Sequence, residues 1–373
     1  MKIIINGFSA RLGGGRTYLS NLLSRLPPDA DLDVIVYAPA SLSLPQDARI
    51  RRGVARWPTE NPLLRTVWEK FALPRVIERE KAHVLFCPGG VVATRVPTGC
   101  RTATMFRNMI PFDPVARARV RSPLQRLRNV LLHRVMLRSL ANADLSIFIS
   151  DHARNLIETM TPVRNPVTIV HGIGDAFRTR GMTIERPAAL PSGEYLLYVS
   201  RFDVYKHHYE LASAFADLPD ALRRRYKLVL VGEDDSDLVR PVMALAAAHG
   251  LQDQIVIMGP VAHDKLPALY HHATVNLFAS SCENCPNILL EALAAGRPVL
   301  SSDVMPMPEF GADAVSYFSP TDPASIRDAL QRILESESER QRLGEAAALR
   351  SDDFDWARSA STTWKSILSL VGR

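Results

Sequence analysis

The densest run of chemically capable residues is Ser280-Ser281-Cys282-Glu283-Asn284-Cys285-Pro286-Asn287-Ile288-Leu289-Leu290-Glu291, followed by Ala292-Leu293-Ala294-Ala295-Gly296-Arg297-Pro298-Val299. It reads as a strand end, a polar loop and then a helix. Pro286 suits the entry to a new helix and cannot continue an old one. The backbone N–H groups of Asn287, Ile288 and Leu289 are then unpaired at a helix N-terminus, a site for phosphate. Glu283 precedes that helix and Glu291 lies inside it. Taken alone, both acids serve equally well as ordinary helix-start and surface charges. Cys282-x2-Cys285 has the spacing of a redox or zinc pair. A structural zinc needs four ligands, however, and Cys87 and Cys100 make no second close pair.

Such groups need a scaffold, and the chain repeats one: a short β-branched run, a turn, then a helical pattern. Lys2–Ile5, Leu32–Tyr37, Val84–Phe86, Thr102–Phe106, Leu145–Ile149 and Val167–Val170 are predicted strands of a first cycle, with helices over Arg16–Leu26 and Leu124–Leu140. A second cycle has strands at Tyr195–Val199, Lys227–Val231, Ile255–Met258, Val275–Phe278 and Val299–Ser301. Helical stretches between them include His208–Phe215, Leu238–His249, Asn287–Ala295 and Ala324–Leu334. The alternation predicts α/β architecture: two doubly wound, Rossmann-like parallel-sheet domains. Ligands of such sheets bind beyond the carboxyl ends of the strands, so a cleft between two facing sheets is the expected site. The join at 178–192 is rich in Pro, Gly and charge, as linkers are.

Composition agrees with 373 residues forming two soluble domains: 47% of residues are hydrophobic and 23% charged. The opening Met1-Lys2-Ile3-Ile4-Ile5-Asn6-Gly7 is too short an apolar run for a signal peptide. Four cysteines make no disulfide framework, which points to a reducing, cytoplasmic location. The net charge of +6 hides a split: residues 1–180 carry 27 Lys and Arg against 13 Asp and Glu, and the rest of the chain is net acidic. Residues 115–143 hold arginines 117, 119, 121, 126, 128, 134 and 138 and no acid, with Leu124, Leu127, Leu131 and Val135 at helical spacing. Two readings stay open: a packed helix with a solvated basic face, or a helix lying on anionic lipid. No nucleic-acid module is recognisable, although a basic nucleic-acid-binding protein is the alternative outside the enzymes.

Glu283 and Glu291, eight apart and followed by Ala-x-Ala-x-Gly-x-Pro-Val in register, resemble the Glu-x7-Glu signature of retaining nucleotide-sugar glycosyltransferases of GT-B fold, family four. Tyr198-Val199-Ser200-Arg201-Phe202 with Lys206 is similar to the family's strand-end Arg and following Lys. Leu228-Val229-Leu230-Val231-Gly232 is similar to its next strand, and Met258-Gly259-Pro260-Val261 to its nucleobase turn. Gly13-Gly14-Gly15 resembles the N-domain glycine loop, Ser150-Asp151-His152-Ala153 a strand-to-helix start, and Val170-His171-Gly172-Ile173 stands where Pro-Asn-Gly is frequent. Phe354-Asp355-Trp356 resembles the start of a C-terminal helix crossing back to the first domain. The resemblance covers nearly the whole chain and is strongest over 195–310.

It implies an N-terminal acceptor domain at 1–180, a nucleotide-sugar domain at 181–352 and a returning helix at 353–373. Arg201, Lys206 and the amides of Asn287, Ile288 and Leu289 would neutralise a diphosphate leaving group without a metal. Glu291 would bind ribose hydroxyls. Glu283 would bind sugar hydroxyls and stabilise an oxocarbenium-like centre. Gly13–Gly15 would let the backbone approach the donor where a Cβ would clash, and Gly259, Pro260 and Val261 would pack on the base. Where many relatives carry a His near the reacting carbon, this chain has Arg107 and Asn108, on the acceptor side; a guanidinium does not serve as a base. Asp235-Ser236-Asp237 resembles the metal motif of the other main glycosyltransferase fold, but its place before a helix makes capping the simpler role. The implied activity is hexose transfer, with GDP-mannose first among donors, to a glycan or lipid-linked acceptor in polysaccharide, O-antigen or exopolysaccharide assembly. It would take place at the inner face of the membrane, with no metal or other cofactor. The rival activities within the fold are a nucleotide-sugar epimerase and a phosphorylase.

Overall fold

The structure is a computed structural model describing all residues except Leu12, 56–60, Arg121, 234–235 and 372–373. Arg121 of the basic segment and Asp235 of the Asp-Ser-Asp motif therefore lie outside the described residues. The chain forms two compact units, 1–112 with 124–172 and 355–373, and 113–123 with 173–354. The sequence-based boundary at 180/181 thus moves to 172/173. The short stretch 113–123 joins the second unit although both its flanks lie in the first.

Among the described residues the first unit holds seven strands: β1 (Lys2–Asn6), β2 (Asp33–Tyr37), β3 (Ile50–Arg52), β4 (Val84–Cys87), β5 (Arg101–Phe106), β6 (Leu145–Phe148) and β7 (Pro166–Thr168). They pair in the order β3-β2-β1-β4-β5-β6-β7, every pair parallel. Ile3, Ile4 and Ile5 are all fully buried, as a strand covered on both faces requires. On one face Ile4, Ile35 and Leu85 pack with Trp68 and Ile77. The helix Trp356–Leu368 packs on Gly14–Leu23: Trp364 is fully buried and its indole N–H donates to Leu22 O at 3.0 Å. Its start is fixed by close approach, since a Cβ on Gly172 would lie 2.2 Å from the Trp356 nitrogen.

The second unit holds β8 (Glu194–Val199), β9 (Tyr226–Val231), β10 (Ile255–Gly259), β11 (Val275–Phe278), β12 (Val299–Ser302) and β13 (Ser316–Phe318), in the order β10-β9-β8-β11-β12-β13, again all parallel. In both sheets the order reverses once, at β1/β4 and at β8/β11. At such a switch point the connections leave in opposite directions and open a crevice beyond the strands' carboxyl ends.

The helix Pro123–Asn142 departs from the packed reading. Its Leu124, Leu127, Leu131 and Val135 are 78%, 57%, 53% and 40% exposed. The buried residues are Asn129, Met136, Ser139 and Leu140. The apolar stripe therefore faces solvent, with arginines set among its leucines. Among the described residues no helix is long and apolar enough to cross a membrane.

Candidate active site

The loops leaving β8 and β11 meet because those strands are neighbours, with Val275 opposite Leu196. Lys206 leaves the first loop and Glu283 the second, and they form a salt bridge. Lys206 is only 6% exposed; its ammonium stands 5.4 Å from the Tyr205 ring centroid and 5.5 Å from that of Phe278. Two aromatic faces and one carboxylate thus hold a cation inside the protein. The backbone is held too: Tyr198 hydroxyl donates to Lys206 O at 2.9 Å, and Ser281 N–H donates to Tyr205 O at 2.9 Å. Gly232 lets the next loop close on this one, since a Cβ there would lie 2.0 Å from Ser200 O.

Arg201 is more open. Its guanidinium donates to Asp203 Oδ2 at 2.9 Å and to the Tyr205 hydroxyl at 3.1 Å. Burial raises the Tyr205 phenol to about 12, so it stays neutral beside the guanidinium. Arg201 and Lys206 flank Tyr205 on one loop, and the pair of cations expected from sequence is brought together.

The helix Asn287–Ala294 begins where expected, with Pro286 at its cap, no side-chain cap and no acid in its first turn. One expectation is corrected. Asn287 N–H donates to Cys285 O at 2.9 Å, so the free first-turn amides reduce to those of Ile288 and Leu289 before Leu290 N–H reaches Pro286 O. Glu291 is held by a residue the motifs do not single out: His263 Nε2 lies 3.0 Å from Glu291 Oε1. Phe177 meets the His263 ring edge-on at 5.0 Å. At the end of β10, Gly259 takes φ +68° and its carbonyl accepts from Gly232 N–H at 2.9 Å, with Pro260 exposed and Val261 partly exposed beyond it. All four cysteines are free thiols. Cys282 is buried and bonded to Asp113, which burial and that carboxylate combine to keep protonated. Among the described residues no group of three or more His, Cys, Asp or Glu could hold a metal ion.

In the first unit Gly13 caps the helix Gly14–Leu23 at φ +56°, in the region that favours glycine. A Cβ there would meet no protein atom within 4 Å, so within the protein the glycine answers to its backbone conformation. Gly15 does face a neighbour: a Cβ would lie 3.0 Å from Arg107 Nη1. The Arg107 guanidinium also stands over Tyr18, 5.8 Å from its centroid. The arginine after β5 and the glycines after β1 therefore share one surface, because β4 alone separates those strands. Asn108 is exposed, and its Oδ1 accepts from Ile110 N–H at 3.2 Å, which gives it a turn-forming part.

Two parallel sheets, a cation and a carboxylate at one switch point, and an uncapped helix beside them define the class: a GT-B glycosyltransferase. Sequence profiles agree. That described as Glycosyl transferases group 1 matches residues 183–350, and that described as Glycosyltransferase Family 4 matches 12–173. The chain belongs to glycosyltransferase family four. It is 26% identical over 226 residues to the serotype-specific mannosyltransferase WbdA of Escherichia coli, a match covering 58% of this chain and 28% of that protein. It is 33% identical over 176 residues to a D-inositol 3-phosphate glycosyltransferase of Frankia alni, covering 45% of this chain and 43% of that protein. The chain thus spans less than half the length of these relatives. A sucrose-phosphate synthase from Thermosynechococcus elongatus shares the fold, with a TM-score of 0.73 at 19% identity over 100% of this chain and 99% of that one.

Proposed function

We propose that the chain transfers a hexose, with retention of anomeric configuration and without a metal, from a nucleotide sugar to a glycan or lipid-linked acceptor. The observation that carries this reading is the buried Lys206–Glu283 pair at the β8/β11 switch point. A nucleoside diphosphate gains negative charge as the glycosidic bond breaks. Arg201, Lys206 and the amides of Ile288 and Leu289 are the positive groups we assign to that charge. Glu283 then receives the sugar hydroxyls and stabilises the oxocarbenium-like carbon, and Glu291 accepts from the ribose hydroxyls. The turn at Gly259, Pro260 and Val261 takes the base. From the first unit we assign Gly13, Gly14 and Gly15 to the donor and Arg107 and Asn108 to the acceptor. Retention follows if the acceptor attacks the face the leaving group departs from, its proton passing to the departing phosphate oxygen. Asn287 is retained for its side chain, its amide being engaged.

GDP-mannose is the donor we favour, supported by the resemblance to mannosyltransferases. O-antigen or related polysaccharide assembly at the inner face of the membrane is the setting. The outward leucines of Pro123–Asn142 and the arginines among them support an anionic lipid surface as a partner. The test is a thermal-shift panel of nucleoside diphosphates and their sugars with and without EDTA, followed by product analysis. A ligand that binds only the folded state raises Tm. An epimerase reacts without acceptor and a phosphorylase requires free phosphate. Loss of wild-type transfer in EDTA counts against the metal-free reading.

A further inference from the structure

His207 follows Lys206 directly and takes a backbone conformation that side chains other than glycine seldom adopt, φ +53° and ψ +38°. Glycine would occupy this position without cost. The side chain kept there is wholly buried and spans two elements. Its Nε2 lies 2.8 Å from Ser281 Oγ, on the loop that carries Glu283. Its Nδ1 lies 3.2 Å from Glu210 Oε1, in the first turn of the helix His208–Ala216. The Ser281 hydroxyl also reaches Tyr205 O at 3.4 Å, so the ring and the neighbouring carbonyl share that side chain. Ser281 is held also by its own N–H, on the same carbonyl of Tyr205.

We propose that His207 is a positioning residue for the transfer reaction: it ties the Lys206 loop to the Glu283 loop through Ser281. It thereby fixes the distance between the cation that receives the diphosphate and the carboxylate that faces the sugar. The proposal rests on the donor-site reading above and deepens it. The ring touches neither substrate nor reacting atoms; it acts through its neighbours. Backbone strain kept at a functional site is the expected signature of such a part. Other connections join these loops, among them the Lys206–Glu283 ion pair and the Ser281 N–H on Tyr205 O; the buried ring adds a further strut, through the Ser281 side chain. When the diphosphate draws Lys206 away from Glu283, the His207–Ser281 contact, with the Ser281 N–H on Tyr205 O, keeps both loops in register.

The test compares His207→Gly and Ser281→Ala with wild type, reading Tm, Kd for GDP and UDP, and donor KM against kcat. Glycine keeps the backbone conformation and deletes the strut. We expect kcat of His207→Gly to fall at least tenfold at temperatures well below its Tm, where the variant is fully folded by circular dichroism. Ser281→Ala should move kcat in the same sense, and the double variant should lose no more than the worse single one, because both remove one connection. Kinetics within twofold of wild type in both variants overturn the proposal, as does an activity loss that merely tracks a lowered Tm. Should His207→Gly fail to fold, Ser281→Ala is read by the same criteria. If neither nucleotide nor any nucleotide sugar binds the wild type, it is the donor-site reading that falls, an outcome separate from these.

Discussion

His263 Nε2 stands 3.0 Å from Oε1 of Glu291, so the carboxylate assigned to the ribose is already held by an imidazole from the segment after β10. The hydrogen bond to Glu291 raises the His263 pKa above its ordinary 6.5. Burial raises that of Glu291 above 4.5. A group with a raised folded-state pKa lends stability below its unfolded value and loses it as pH climbs through the folded one. Both groups therefore act in the same direction. The pair's own contribution to Tm should fall as pH rises, first through the carboxyl window above 4.5 and then through the imidazole window above 6.5, while buried His208, whose pKa is pushed down to about 3, adds stability up to 6.5. His263→Gln should remove the upper window, by about 1–3 °C because the ring is largely exposed, and extend the lower one, since the imidazole no longer holds the Glu291 pKa down. Scanning calorimetry from pH 4 to 9 checks it; an unchanged upper slope in the variant contradicts the assignment.

Lys206→Met and Glu283→Gln keep side-chain volume and remove one charge each. Losing a preorganised charge-stabilising donor costs about 100- to 1,000-fold in kcat. Each variant should lose that much while retaining wild-type circular dichroism. Initial-rate kinetics with a saturating donor separate this from weakened binding.

Gly232→Ala places a methyl 2.0 Å from Ser200 O, where backbone rather than a movable side chain must yield. Overpacking of this kind costs about 1–3 kcal/mol. Tm should drop by several degrees, and donor binding should weaken with it because the displaced strand end leads into Arg201. A variant with unaltered nucleotide affinity would separate this glycine from the site.

The outward face of Pro123–Asn142 is tested by Leu127→Glu with Leu131→Glu. Binding to vesicles containing anionic lipid should be lost, while activity on a water-soluble acceptor stays within twofold. Each basic residue near such a surface adds about 1 kcal/mol, so wild-type binding should also weaken steeply with salt. Flotation assays read both effects.

The strands buried on both faces were legible because they are continuous apolar runs, and the observed ends differ by a residue or two. The edge strands β3 and β13 were not, since Ile50–Arg52 and Ser316–Phe318 are three residues each and carry polar side chains. The helix Gly14–Leu23 stops before Pro27-Pro28 because Ser24 already terminates it. The Lys206–Glu283 partnership was legible only through motif resemblance. The two are 77 positions apart, and nothing local says that β8 and β11 are neighbours. His207 and His263 escaped for a related reason. His207 meets Ser281, 74 positions away, and His263 meets Glu291, 28 positions away, contacts that only the fold brings about.

The chain passes from the first unit to the second and back twice, and its last helix completes the unit with which it began. On the ribosome, β1 to β7 emerge early, but the Tyr18 and Leu22 face waits for Trp356 and Trp364 until the whole of 173–354 has been made. At usual elongation rates that wait lasts on the order of ten to forty seconds. A chain cut short before Trp356 would carry an unclosed apolar flank, a substrate for chaperones and proteases rather than a smaller enzyme.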